Sequence, residues 1–224
     1  MPEGITCIVP VHDGATYLAA AIDSILAQEH RPLEVIVVDD GSTDGSRAIA
    51  EGYGDPVRVI SQENRGCAAA RNTGVRHARY DLVAFLDADD LYVPGRLDRQ
   101  LAHLRSRPGI DISLCTAENF WEPGLEEEQR RYEAAGRLRA THHFGTMLAS
   151  KTVFERIGPI DEQRRVGDQI EWFLRAKDAG LVIEVLTDVL MLRRNHAASM
   201  SHQEPSLEPF LDLAFERLAT RRAR

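Results

Sequence analysis

Apolar positions in the first half of the chain recur in two alternating rhythms. Ile5-Thr6-Cys7-Ile8-Val9-Pro10-Val11 is a short, nearly continuous apolar run, the pattern of a strand buried on both faces. Leu18, Ile22, Ile25 and Leu26 follow at helical spacing and predict an amphipathic helix over roughly 16–28. The alternation continues with a β-branched strand over Leu33–Val38, a short helix near 45–52 and a strand over Val57–Ile60. An alanine-rich helix over Ala68–Ala78 and a strand over Leu82–Leu86 come next. Leu97, Leu101 and Leu104 mark a helix that stops before Pro108, and Ile110–Cys115 is a fifth strand. This β-α-β alternation predicts an α/β fold with a mostly parallel sheet flanked by helices, whose ligands bind beyond the carboxyl ends of the strands.

The second half has a different texture. Residues 122–140 carry the run Glu126-Glu127-Glu128-Gln129-Arg130-Arg131, read as an exposed helix or a mobile segment. Ser150–Ile157 is a short helix closed by Gly158-Pro159, and Gln169–Ala179 is a helix ended by Gly180. Val182–Leu186 and Val189–Leu192 read as short strands. Phe210, Leu213, Ala214 and Leu218 mark a last amphipathic helix before the basic run Arg221-Arg222-Ala223-Arg224. No internal repeat divides the 224 residues. They are read as one domain (1–224) with a ligand-binding half (1–116), a second half (117–200), and a terminal helix with its tail (201–224).

A net charge of -8 argues against nucleic acid as a main partner, because phosphate backbones call for a basic face. Cys7, Cys67 and Cys115 are odd in number and widely spaced, the mark of buried reduced thiols in a cytoplasmic protein. No signal peptide and no run of about 18 apolar residues is visible, so membrane contact is expected to be peripheral at most.

Candidate chemistry lies where strands end. Asp39-Asp40-Gly41-Ser42-Thr43-Asp44 follows the second strand; a carboxylate there either shapes a turn or accepts hydrogen bonds from a base N–H or a ribose hydroxyl. Asp87-Ala88-Asp89-Asp90 follows the fourth strand. Three carboxylates in four residues repel one another unless they share a cation, and Mg²⁺ or Mn²⁺ commonly sits between carboxylates and phosphates. Arg65-Gly66 precedes a small-residue helix able to approach another backbone closely. The turn after the first strand lacks G-x-G-x-x-G, which excludes a typical dinucleotide-binding dehydrogenase, and no phosphate-loop motif occurs. A sugar nucleotidyltransferase would need a glycine-rich basic loop there, which is also missing.

Taken in order, Pro10-Val11-His12-Asp13, Val38-Asp39-Asp40-Gly41-Ser42-Thr43-Asp44, Asn64-Arg65-Gly66 with Ala70-Arg71-Asn72, and Leu86-Asp87-Ala88-Asp89-Asp90 resemble the family-2 glycosyltransferases of GT-A fold. The resemblance spans roughly residues 4–200 and is strongest over 5–107. It implies a GT-A-like sheet with a smaller acceptor-side part, and a metal-dependent hexosyltransferase-type enzyme. Such an enzyme moves a sugar from a UDP-, GDP- or dTDP-sugar to an acceptor hydroxyl with inversion. The acceptor class, whether glycan, lipid carrier, peptide or small molecule, stays open.

The resemblance also implies roles. Pro10 and His12 would lie against the nucleoside with Asp13 nearby. Asp40, more than Asp39, would bind the base, and Arg65 would lie near base or diphosphate. Asp87-Ala88-Asp89 matches the D-x-D motif, with Asp87 on ribose or sugar, Asp89 holding the metal and Asp90 able to share either role. Val166-Gly167-Asp168-Gln169-Ile170-Glu171 resembles the acidic motif that supplies the base. The strict register puts Gln169 at the base position, so Asp168 is the first choice and Glu171 the second. That departure leaves a catalytically weak nucleotide-sugar-binding member as the alternative. In Leu192-Arg193-Arg194-Asn195-His196, His196 would complete the metal shell or donate to phosphate. His142-His143 are candidates to face the acceptor.

Overall fold

The computed structural model describes residues 3–107, 109–134, 139–140, 142–164 and 166–199. The amphipathic helix and basic run expected after residue 201 lie outside them. The strands are β1 (Ile5–Val11), β2 (Leu33–Asp40), β3 (Val57–Gln62), β4 (Leu82–Phe85), β5 (Leu91–Tyr92), β6 (Ile112–Trp121), β7 (Arg139–Ala140), β8 (Met147–Ser150) and β9 (Ile183–Asn195). The helices are α1 (Leu18–Leu26), α2 (Ser46–Glu51), α3 (Cys67–His77), α4 (Arg96–Ser106), α5 (Glu126–Ala134), α6 (Thr152–Ile157) and α7 (Asp168–Asp178).

One sheet has the order β3-β2-β1-β4-β8-β6-β9-β5, with β7 paired to β6. β1 to β4 are parallel, while β8 runs antiparallel to both β4 and β6. Because β9 is parallel to β6, both point the same way as β1 to β4. The carboxyl ends of β1, β2, β4, β6 and β9 and the amino end of β8 therefore share one edge of the sheet.

Alternation along the strands sorts the core into two layers. Ile8, Ile36, Val38 and Phe85 face α3, α6 and α7 through Ala70, Phe154 and Trp172. Cys7, Val9, Val35 and Val37 face α1 and α4 through Leu18, Ile22, Ile25 and Leu97. Each such aliphatic chain contributes roughly 1.5–3 kcal/mol by leaving water. The small residues of α3 let it lie close against β1: a Cβ on Gly74 would stand 2.3 Å from the Ile8 side chain.

The second half departs from the expected elements in three ways. β6 continues to Trp121, because its polar end still finds hydrogen-bond partners on β9. The two expected strands at 182–192 are one, β9. Met147–Ser150 is an unforeseen antiparallel strand, and the helix expected to start at Ser150 begins at Thr152. The charged 122–140 stretch contains α5, which buries no residue. Cys7 and Cys115 are buried and Cys67 is half-buried, all unpaired. No helix among the described residues is long and apolar enough to cross a membrane.

Candidate active site

The loops after β1 and β2 are fastened to each other. Asp13, at φ 51°, accepts hydrogen bonds from the backbone N–H of Thr43 (2.6 Å) and Asp44 (3.2 Å). Asp44 in turn accepts from Ala15 N–H at 2.9 Å. Asp13 thus shapes this corner. Pro10 is buried in β1 opposite Val38. His12 beside it is exposed, with Nδ1 3.0 Å from the Asp40 carbonyl oxygen.

The two adjacent aspartates of β2 have different fates. Asp40 is 3% exposed, and its oxygens accept from Gln62 (2.7 Å), Arg65 N–H (2.9 Å) and Gly66 N–H (2.7 Å). It holds the turn into α3, and with three protein donors it has less acceptor capacity left for a base than Asp39. One Asp39 oxygen accepts from Ser42 N–H at 3.0 Å, and among the described residues the other has no protein donor. Arg65 extends away to pair with Glu162.

At the end of β4 the carboxylates meet side-chain partners instead. Asp87 Oδ1 accepts from Arg71 at 2.7 Å, and its Oδ2 lies 3.4 Å from His143 Nε2. Burial alone would raise the Asp87 carboxyl, but Arg71 and His143 hold it down to about 2. Burial pushes His143 down to about 4, against the pull of Asp87, so the ring is neutral at pH 7. Its Nδ1 accepts Gly145 N–H at 3.0 Å, which assigns the ring hydrogen to Nε2, facing Asp87. Ala88 packs half-buried against the core.

Asp89 Oδ2 lies 3.1 Å from His196 Nε2, which joins the loop after β4 to the end of β9. Burial and the Asp87 charge push the Asp89 carboxyl up, with His196 opposing. Asp90 turns inward. It is 2% exposed, accepts from Arg194 N–H at 2.9 Å, and is pushed well up by burial and by the charges of Asp87 and Asp89. The expectation that Asp90 shares the metal or ligand role is corrected accordingly. Among the described residues, no three His, Cys, Asp or Glu side chains converge on a metal position.

Asp168 opens α7 behind Gly167, whose φ of 78° is a left-handed turn that a β-carbon would strain. Asp168 Oδ2 lies 3.7 Å from Arg71 Nη1, so one buried guanidinium faces both Asp87 and Asp168. Burial raises the Asp168 carboxyl and Arg71 draws it back. Arg71 Nε–H is buried and finds no acceptor. Gln169 accepts Phe144 N–H at 2.8 Å and so braces the 3-10 turn Phe144–Thr146 that follows His143. Glu171 is removed from the candidates. Both its oxygens accept from Arg175 (3.0 and 2.8 Å), which in turn donates to the Ile157 and Pro159 carbonyls.

The structure thus gathers Asp87, Asp89, Asp168 and His196 at one sheet edge. The role of Arg71 emerges only in the structure; a charged residue inside Cys67-Ala68-Ala69-Ala70-Arg71 is the signal the sequence offers for it. His143, a candidate to face the acceptor, has its ring toward Asp87. His142 packs edge-on against Phe173.

The family model for glycosyl transferase family 2 matches residues 6–164. The chain belongs to that family of glycosyltransferases. An uncharacterized glycosyltransferase of Rickettsia prowazekii (strain Madrid E) is 29% identical over 223 residues, 93% of this chain and 70% of the relative. The uncharacterized glycosyltransferase EpsJ of Bacillus subtilis (strain 168) is 27% identical over 233 residues, 95% of this chain and 67% of EpsJ. Among solved structures, S. aureus TarS with UDP-GlcNAc superposes at TM-score 0.72 and 20% identity over 90% of this chain and 61% of that one. The mannosyltransferase PcManGT of Pyrobaculum calidifontis, with GDP-Man and Mn²⁺, gives 0.69 and 23% over 91% of this chain and 60% of that one. At these identities the structures establish the shared GT-A fold. The chain spans about two thirds of those relatives and three fifths of those structures.

Proposed function

We propose that the chain transfers a sugar from a nucleoside diphosphate sugar to an acceptor hydroxyl, with a divalent cation on the diphosphate and inversion at the anomeric carbon. The observation that carries this reading is Arg71, set between Asp87 on the donor side and Asp168 on the acceptor side. A donor sugar and an acceptor hydroxyl brought to that point would meet between the two carboxylates.

Asp39, with a free oxygen, is the better candidate than Asp40 to accept from a base N–H or a ribose hydroxyl. Asp87, ionised beside Arg71, would accept from a hydroxyl of the sugar or ribose. Asp89 and His196 supply one carboxylate and one imidazole to Mg²⁺ or Mn²⁺. A carboxylate with one imidazole would suit Mn²⁺ better than Mg²⁺, and would leave positions open for diphosphate oxygens and waters. Bound there, the ion would neutralise the charge that develops on the leaving diphosphate. Asp168 would take the proton from the acceptor hydroxyl; burial raises its carboxyl and makes it a stronger base, while Arg71 favours the charged form. One base at Asp168 suffices for a single in-line displacement, which inverts the anomeric carbon. UDP- and GDP-sugars, which the structural neighbours carry, and dTDP-sugars are the donors to try first. Gln169, the motive for a catalytically weak alternative, has its own task in bracing Phe144.

The test is thermal unfolding with UDP, GDP, dTDP and their sugars, with and without Mn²⁺. Ligand at about 100 times its dissociation constant stabilises by about 2.7 kcal/mol, or about 5–10 °C for a chain this size. One nucleotide is expected to raise Tm in EDTA and to raise it further with Mn²⁺, and Asp89→Asn to remove the Mn²⁺-dependent part. A chain that no nucleotide stabilises in either condition is not a nucleotide-sugar enzyme of this kind.

A further inference from the structure

Arg194 is held on several sides, by the Asp89–Asp90 loop and by residues not yet given a role. Its Nε–H donates to the Asp89 carbonyl at 3.0 Å, and its backbone N–H donates to Asp90 at 2.9 Å. Its Nη1 lies 3.5 Å from a Glu122 oxygen. Its guanidinium is flanked by the rings of Tyr17 and Phe120, each with its centroid 4.6 Å away. Glu122 accepts from the Tyr17 hydroxyl at 2.8 Å with its other oxygen, and the Tyr17 ring then packs against His196 at 4.7 Å.

These contacts join four segments far apart in the chain: the turn before α1, the loop after β4, the end of β6 and the end of β9. They converge on Asp89 and His196. Arg194 fixes the backbone that carries Asp89, and Tyr17 backs the imidazole of His196. Glu122 ties the two supports together. An arginine is suited to this place, because a flat guanidinium can lie between two rings while its edge donates in separate directions; a lysine ammonium cannot do both.

We infer that Arg194, braced by Glu122 and Tyr17, is a positioning residue that sets the cation affinity of the Asp89–His196 pair. This rests on the cation reading proposed above. A site with only two protein donors depends strongly on how well those donors are held, and loss of such outer partners typically weakens metal binding by about 10–100-fold.

The experiment is a Mn²⁺ titration of the full chain, followed by the EPR signal of free Mn²⁺, in the presence of UDP and separately of GDP. Arg194→Lys is expected to weaken Mn²⁺ binding by about 10–100-fold, Glu122→Gln to weaken it less, and Tyr17→Phe least. Nucleotide binding in EDTA is expected to be the same in all of them. If Arg194→Lys does not fold, Glu122→Gln carries the test, since it keeps the shape and removes only the charge. Wild-type Mn²⁺ affinity in the folded variants would overturn the inference alone, even if their metal-free Tm fell. A wild-type chain that takes up no Mn²⁺ with either nucleotide would overturn both the inference and the cation reading beneath it.

Discussion

Two acidic clusters end strands on either side of β1, and they are answered differently. Around the end of β2, Asp13, Asp39, Asp40 and Asp44 accept from backbone N–H groups of Thr43, Ser42, Arg65, Gly66 and Ala15. At the end of β4, Asp87 and Asp89 face side chains: Arg71, His143 and His196. Backbone donors are fixed dipoles. They satisfy a carboxylate and shape a turn in the same act. Side chains drawn from distant positions leave the carboxylate's charge balanced but available to a ligand. The source and number of the donors, rather than the density of aspartates, separate the carboxylates that shape turns from those left open, Asp39 among the latter.

The sharpest way to break this contrast is Asp40→Ala. It removes the acceptor of three hydrogen bonds at a buried position, and a loss of roughly 4 kcal/mol is expected in urea unfolding. A loss under about 1 kcal/mol would make Asp40 a spare carboxylate and erase the distinction. The second probe is pH. Burial depresses His143 to about 4, below the ordinary value of 6.5, so the unfolded chain takes up this proton first as pH falls. Its contribution to stability is therefore lost between about pH 6.5 and 4, and His143→Asn should flatten that slope in urea unfolding at stepped pH. An unchanged slope would mean that His143 is not held neutral beside Asp87. The smallest effect is expected from Gln169→Ala, which leaves Phe144 N–H without its acceptor and costs about 1 kcal/mol. A larger change in turnover than in stability would return Gln169 to the chemistry.

The parallel half was legible because each strand is covered on both faces and each helix shows a periodic apolar stripe. The strand-end aspartates were legible as clusters. Their partners were not. Arg71 reaches Asp168, 97 positions away in sequence, and His196 reaches Asp89 across 107; no local pattern records either. Met147–Ser150 was missed because four residues carry too little periodicity to set a strand apart from the helix that follows. Glu122 and Tyr17 carry no motif and gain meaning only where β6 and the first turn meet. Glu171 misled because an acidic residue in the first turn of a helix looks the same whether it faces a cleft or an i+4 arginine.

The proposed chemistry turns on Asp168 as the base acting on a donor held beside Asp87. Its most direct test is release of nucleoside diphosphate from UDP-, GDP- and dTDP-sugars with Mn²⁺, comparing the wild type with Asp168→Asn. Steady release by the wild type is expected from one donor class. A fall of about 10²–10⁴-fold is expected in the variant, with nucleotide-dependent Tm shifts retained. Release by Asp168→Asn at the wild-type rate would contradict this role and move the base elsewhere.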